Sequence, residues 1–378
     1  MYGLYIHVPF CASRCIYCDF YSTTLGADVR RRYVAALCAE IEARRDETAD
    51  SRLHTIYIGG GTPSQLTIDE LAQIVDAVRA CHDTAAVAET TIEANPDDVT
   101  PRWAVAVRRL GFDRVSLGVQ TFDDDLLRFL SRRHTAAQAC SAVATLREAG
   151  FTNLSIDLMY GLPGQTAESW RRDLTTALSL PVAHLSAYSL MFESGTRLTA
   201  MRDKGLVSEA DEELSLAMFR ALEEEAERAG FEHYEISNFA RPGRRSLHNA
   251  SYWDGTPYVG FGPAAHSFDG ARRRWNTSDV AAYAAWPGHP PCATEQLTLH
   301  DRYDEYVMTR LRTCDGLCPD EIERRFGSAF SLHFRRAAAP HLQAGRLVPA
   351  AAGSLRLSRE ALFVSDAVMS DLMWPDET

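Results

Sequence analysis

The chain of 378 residues lacks any apolar run of about 18 residues, which excludes a membrane-spanning helix on sequence grounds. Its mean hydropathy is −0.21. It lacks a basic surplus: 39 Lys and Arg stand against 51 Asp and Glu, for a formal net charge of −12. A nucleic-acid binder normally carries the opposite field, so no nucleic-acid partner is expected. The dense basic clusters, Arg30-Arg31-Arg32, Arg244-Arg245 and Arg272-Arg273-Arg274, read as solvated loop charges. Low-complexity segments are missing too. The start, Met1 to Phe10, has no charged leader region and no cleavage site; it reads as a strand that begins at once, and a cytoplasmic location is expected. Nine cysteines, an odd number with no secretory leader, argue against a disulfide framework.

What is present is an alternation. Short apolar runs at Leu4–Val8, His54–Ile58, Thr90–Ala94, Arg114–Val119, Asn153–Met159 and His184–Leu190 are separated by amphipathic stretches of helical period, among them Arg30–Arg45, Thr67–Ala80, Pro101–Leu110, Ala136–Ala149 and Ala167–Leu180. This pattern predicts βαβ units around a parallel sheet, six of them, closing into a partial barrel. Polar and glycine residues gather just after the strands: Cys11, Gly59–Pro63, Glu93–Pro96, Gln120 and Gly161–Pro163. In parallel α/β folds that end of the sheet is where ligands sit. Beyond residue 200 the pattern changes. Glu209–Gly230 reads as a long acidic helix, Phe231–Trp275 as strands and loops, and Trp286–Thr294 as a linker. Helices at Arg302–Arg312, Pro319–Phe326 and Ser331–Ala344, a hairpin over 346–357 and a last helix from Ser358 suggest a winged-helix-like unit. The expected division is therefore 1–200 barrel, 201–295 α+β extension and 296–378 C-terminal domain.

Three of the nine cysteines fall within eight residues, Cys11-Ala-Ser-Arg-Cys15-Ile-Tyr-Cys18. Soft thiolates suit an iron–sulfur cluster or zinc. Structural zinc takes four ligands, commonly as separated pairs, and no fourth Cys or His follows closely here. Three thiolates from one loop instead suit a [4Fe–4S] cubane held at three corners, with the fourth iron open to a chelating ligand. A zinc knob or buried free thiols are the alternative readings. Ile56-Tyr57-Ile58-Gly59-Gly60-Gly61-Thr62-Pro63 lets backbone approach a ligand closely, although a glycine triplet alone equally marks a tight turn. Glu93, Gln120 and Asp157 are polar residues on or just after strands, where carboxylates are costly without a partner. Arg132 could meet a carboxylate through both guanidinium arms. Each is, on its own, equally an ordinary core hydrogen-bonder.

The Cys11–Cys18 spacing, with the aromatic Tyr17 before the last cysteine, resembles the signature of the radical S-adenosylmethionine superfamily. That resemblance implies that S-adenosylmethionine chelates the open iron and can be cleaved by one electron to a 5′-deoxyadenosyl radical. Tyr5-Ile-His7-Val-Pro9-Phe10-Cys11, Gly59–Pro63, Leu117-Gly-Val-Gln120-Thr-Phe122 and Ile156–Thr166 further resemble the oxygen-independent coproporphyrinogen III oxidase family. Carried across, the resemblance implies S-adenosylmethionine contacts at Tyr5, Gly60, Gly61, Thr62, Glu93, Gln120, Arg132 and Asp157. Two features depart from the oxidases. Phe20 stands where they carry a further cysteine, and only ten residues precede Cys11 where they have a long extension. Both departures match a sister group, the HemW-type heme chaperones.

Leu247-His248-Asn249-Ala250-Ser251-Tyr252-Trp253 is similar to the His-Asn-x-x-Tyr-Trp motif of that group. A neutral imidazole can ligate heme iron, and aromatic faces bury a macrocycle. Heme contacts at His248, Asn249, Tyr252 and Trp253 are thus expected; His266 and Cys292 are further candidate ligands, and a satisfied core histidine is the other reading of His248. Cys314 and Cys318 read as buried thiols. The function implied is binding heme and passing it to acceptor hemoproteins, some of them membrane-bound, so that any membrane association would be peripheral. Reduced flavodoxin or ferredoxin is the implied electron donor and a homodimer the implied assembly. The alternatives are radical decarboxylation of a porphyrinogen, or another radical reaction on heme.

Overall fold

The computed structural model describes residues 1–48 and 52–375. Six strands, β1 (Tyr2–Val8), β2 (Leu53–Gly60), β3 (Glu89–Ala94), β4 (Arg114–Gln120), β5 (Asn153–Tyr160) and β6 (His184–Ser189), lie side by side in chain order, all parallel. Between them run α1 (Ala27–Ala43), α2 (Ile68–Cys81), α3 (Pro101–Arg109), α4 (Asp124–Phe129), α5 (Ala136–Glu148) and α6 (Ala167–Ser179). Their starts are chemically marked. Thr67, Thr135 and Thr166 each accept the amide of the third helical residue, whose side chain returns the bond. The strands are buried on nearly every residue because helices cover one face and the barrel interior the other.

The arc stays open. Instead of meeting, β1 and β6 are each extended by later strands, giving the order β12-β11-β10-β9-β1-β2-β3-β4-β5-β6-β8-β7. Here β7 is Glu232–Glu235, β8 Asn238–Ala240, β9 Tyr258–Phe261, β10 His266–Phe268, β11 Arg272–Asn276 and β12 Cys292–Gln296. Residues 201–295 thus complete both edges of the same sheet and share its core, which includes Phe219, Phe239, Phe261 and Tyr283. Helices α7 (Arg197–Asp203), α8 (Glu212–Arg228), α9 (Leu247–Asp254) and α10 (Val280–Ala285) decorate this region. A second core, around Tyr303, Phe326, Phe330 and Leu372, belongs to α11 (Leu299–Leu311), α12 (Pro319–Phe326), α13 (Ser328–Gln343), the hairpin β13 (Leu347–Pro349)–β14 (Leu355–Leu357) and α14 (Ser365–Leu372). The partial six-stranded barrel, the α+β extension and the small helical and hairpin C-terminal domain are all present.

Two expectations need correction. The segment read as a linker ends in β12, which pairs antiparallel with β11 from Arg272↔Gln296 to Asn276↔Cys292. His248 and its neighbours lie on a helix, α9, where strands and loops were expected; it is capped by Ser246 and closed by Gly255 at φ 78°. The basic clusters meet carboxylates: Arg30 with Glu70, Arg31 with Asp28, Arg245 with Asp315, Arg273 with Glu305 and Arg274 with Glu47. Among the described residues no helix is long and apolar enough to cross a membrane.

Candidate functional site at the carboxyl ends of the strands

The loop after β1 is pinned before it carries any chemistry. Cys11 donates its amide to Thr23 O at 2.9 Å and Leu198 donates its amide to Ile16 O at 2.9 Å. His7, buried in β1, donates Nε2–H to Tyr21 O at 3.0 Å and accepts the Tyr5 hydroxyl on Nδ1 at 3.0 Å. Burial, against the help of that carbonyl, holds the His7 imidazole down to about 4, so it stays neutral. Tyr17 packs beside Leu130, Met159 and Leu162. The three thiols of Cys11, Cys15 and Cys18 are thereby brought to the edge of one cavity of about 500 Å³.

The cavity opens at the carboxyl ends of β1–β6, as the strand pattern predicts. Gly60, Gly61, Thr62, Glu93, Gln120, Arg132 and Asp157 all line it, with Asn95, Ser116 and Tyr188. Gly60 has φ 106°, and a Cβ there would fall 2.5 Å from the His7 ring. Thr62 shares a hydrogen bond with Cys11 Sγ at 3.3 Å. Arg132, from the turn after α4, donates Nη1 to Cys15 Sγ at 3.4 Å and Nη2 to Asn95 Oδ1 at 2.6 Å, while its buried Nε has no partner. Gln120 ends β4 with φ 72°, a left-handed backbone unusual for its type, at the edge of the cavity.

Two half-buried carboxyls face the same space. Burial raises Glu93 to about 7, opposed by the Tyr57 hydroxyl donated to Oε1 at 2.6 Å and the Gly60 amide donated to Oε2 at 3.1 Å. Burial likewise raises Asp157, opposed by hydroxyls of Ser186 and Ser116. Burial pushes the Cys18 thiol up to about 11. The rim of the cavity is apolar and open, with Phe20 64% and Met191 66% exposed.

Not every expected residue is here. Tyr5 stands outside the cavity lining, with its hydroxyl spent on His7. Gly161–Pro163 also lie outside it, and Arg132 meets a sulfur, an amide oxygen and the Gly118 carbonyl rather than a carboxylate. His248 is at the opposite end of the barrel and 1% exposed. Its Nδ1 bonds Thr55 Oγ1 at 2.8 Å and its Nε2 the Tyr252 hydroxyl at 2.9 Å. Both ring nitrogens of His248 are hydrogen-bonded, the arrangement of a satisfied core histidine, which is the other reading the sequence allowed. Trp253 lies under the Arg312 guanidinium, 4.8 Å from the ring centroid. Asn249 is half-exposed and Leu247 is 38% exposed. His266 is exposed, stacked 5.7 Å from Trp275, and Cys292 is exposed on β12. Cys314 and Cys318 are half-buried rather than buried, and Cys314 accepts an Arg245 N–H at 3.3 Å. Tyr57 and Ser116 were missed by sequence reasoning because they sit inside apolar strand runs; the period-2 alternation that puts Tyr57 on the face of Gly59 was the available signal.

Three thiols beside a cavity floored by glycine backbone and half-buried carboxyls define a radical S-adenosylmethionine protein. The radical SAM superfamily model matches residues 5–177, and the HemN C-terminal domain model matches residues 297–364. The chain is 37% identical to the heme chaperone HemW of Mycobacterium tuberculosis over 84% of this chain and 83% of that protein. It is 36% identical to HemW of Bacillus subtilis (86% and 87%) and 33% to HemW of Escherichia coli (87% and 90%). The chain belongs to the HemW heme chaperone family. Its fold is that of the E. coli coproporphyrinogen III oxidase HemN, with a TM-score of 0.84, 23% identity and coverage of 98% of this chain and 89% of that one.

A [4Fe–4S] cluster and S-adenosylmethionine are the cofactors of this superfamily, and the residues present fit them. The donor set is soft and three-membered, and the buried Arg132 Nε and the carboxyls of Glu93 and Asp157 offer unspent polar capacity beside it.

Proposed function

We propose that this chain binds heme and passes it to acceptor hemoproteins, with a [4Fe–4S] cluster on Cys11, Cys15 and Cys18 and S-adenosylmethionine in the adjoining cavity. The single observation that carries the cofactor assignment is the convergence of those thiols with Gly60, Gly61, Thr62, Glu93, Gln120, Arg132 and Asp157 on one space. When bound, the cluster supplies one electron at low potential. The chain's own part is to hold and orient: glycine backbone at 60–61 admits close approach, Glu93 and Asp157 are acceptors for hydroxyl or ammonium groups, and Arg132 puts positive charge beside Cys15. Tyr5 acts on the site through His7. The heme role rests on kinship with HemW proteins over most of the chain. Heme meets the accessible side of α9, Leu247 and Asn249 with the edge of Trp253, rather than the core-bound His248.

The working division of the chain is 1–200 for cofactors, 201–295 for the motif helix and the sheet edges, and 296–378 for the C-terminal domain. Reduced flavodoxin or ferredoxin serves as electron donor, the assembly is a homodimer, and the location is cytoplasmic with peripheral contact at membranes that hold acceptors. The test is anaerobic. Reconstituted protein with dithionite, S-adenosylmethionine and coproporphyrinogen III yields no protoporphyrinogen, while heme-loaded protein transfers its Soret band to an apo-hemoprotein. Robust decarboxylation without heme transfer would replace this reading with an oxidase.

A further inference from the structure

The motif helix α9 sits at the amino-terminal ends of β1–β3, opposite the cofactor cavity, yet its histidine reaches a cavity carboxyl through Tyr57, with the Tyr5 ring stacked on it more distantly at 6.4 Å. The reason is strand periodicity. On β2, residues 55, 57 and 59 share one face, and on β3 residues 89, 91 and 93 do. The lower layer engages α9: Thr55 bonds His248 Nδ1, and Glu89 accepts the amides of Leu247 and His248 at 3.1 Å each. The upper layer engages the cavity: Tyr57 donates to Glu93, which also accepts the Gly60 amide. Tyr57 joins the layers. Its ring lies on the His248 imidazole with centroids 5.0 Å apart and planes at 27°.

This stack has no slack. A Cβ on Gly3 would fall 2.9 Å from Thr55 Oγ1 and 3.2 Å from His248 Nδ1. One on Gly59 would fall 2.7 Å from the Tyr57 ring and 3.0 Å from the Glu93 carboxyl. Glycines at both levels therefore leave room for the histidine and the tyrosine to pack ring on ring. The outer side of α9 is held by the C-terminal domain, where Arg312 covers Trp253.

We infer that His248 is a positioning residue for the S-adenosylmethionine site: its imidazole is the shelf on which Tyr57 lies, and Tyr57 fixes the Glu93 carboxylate at the cavity. The motif helix thus serves the cofactor from below. This inference rests on the assignment of Glu93 to the cofactor.

The experiment uses the full chain, reconstituted anaerobically. S-adenosylmethionine affinity is measured by calorimetry, the perturbation of the reduced-cluster EPR signal by S-adenosylmethionine is recorded, and heme is titrated in parallel. His248→Ala weakens S-adenosylmethionine binding about tenfold and blunts the EPR perturbation, with iron and sulfide content unchanged. His248→Phe, which keeps a flat ring under Tyr57, restores affinity to within about threefold of wild type. Tyr57→Phe mimics His248→Ala, and the double variant is no worse than either single one. Should His248→Ala fail to fold, His248→Leu, which fills the space under Tyr57 without a flat ring, gives the same test and is expected to weaken binding like the alanine variant. Wild-type affinity in His248→Ala, while Glu93→Gln is impaired, overturns the inference. Wild-type affinity in Glu93→Gln itself overturns instead the assignment of Glu93.

Discussion

Arg132 reaches the sulfur of Cys15, Nη1 to Sγ, at 3.4 Å. The guanidinium is buried and anchored on its other arm by Asn95, so its charge is fixed beside a thiolate rather than averaged by solvent. A fixed cation and an N–H donor at a ligand sulfur favour the more negative, reduced state of an iron–sulfur centre. Arg132→Met is expected to lower the cluster midpoint potential by on the order of 50–100 mV, read by EPR-monitored redox titration. An unchanged potential in a fully loaded variant would remove Arg132 from this role.

Much of this site was legible because the chemistry is local. Cys11, Cys15 and Cys18 lie in one loop, and Gly60–Thr62, Glu93 and Gln120 mark the ends of strands whose apolar runs are continuous. The parts that were not legible depend on what a strand faces. Tyr57, Thr55, Arg114 and Glu89 are scattered through β2, β3 and β4, and only the curved arc of strands shows that they share an interior. Helix α9 escaped because eight residues with three aromatics or imidazoles carry no clear apolar stripe. The same composition suggested a ligand where packing puts a core histidine. β12 escaped because Pro290 and Pro291 read as a linker, although the strand begins just after them.

Glu89 carries two loads. It accepts the first amides of α9, and it is the carboxylate nearest Arg114, Oε2 to Nε at 4.0 Å. Arg114 is 1% exposed, and its Nε and Nη1 make no hydrogen bond. Removing the carboxylate leaves that cation buried without compensation and frees the helix start. Glu89→Ala is expected to cost about 3–5 kcal/mol in urea unfolding of the apo-chain, and Arg114→Met in the same chain to recover a good part of it. A single variant as stable as wild type would show that the pair is not coupled.

Gly60 tests the glycine turn. Its φ of 106° and the His7 ring 2.5 Å from a virtual Cβ leave alanine no unstrained solution. The ring that would move is the one holding Tyr21 O, and with it the tail of the cluster loop. Gly60→Ala is expected to lose about 1–3 kcal/mol and to retain less iron and sulfide after anaerobic reconstitution. Full iron loading with an unshifted Tm would show that the loop does not depend on His7.

Acid should loosen this protein earlier than its acidic composition suggests. Burial holds His7 and His134 down to about 4 and His248 to about 3, and holds His184 well below its ordinary value. In the unfolded chain these imidazoles regain their ordinary 6.5. Between pH 6.5 and about 4 the unfolded state binds protons that the folded state refuses, so stability falls as pH falls, by about 1.4 kcal/mol per pH unit for each fully refused proton. Glu93 works the other way. Its folded value near 7 lies above the ordinary 4.5, so its contribution is lost as pH rises from 4.5 to 7. Asp157, raised by the same burial, works with Glu93, but the four histidines outnumber these two cavity carboxyls, and apo-protein stability should climb from pH 5 to 6.5. Glu93→Gln removes the opposing proton and should steepen that climb by about one proton's worth. Urea unfolding at half-unit steps of pH measures both slopes. A flat profile in the wild-type chain, or an identical slope in Glu93→Gln, would mean that these rings and this carboxyl do not hold the protonation states their burial imposes.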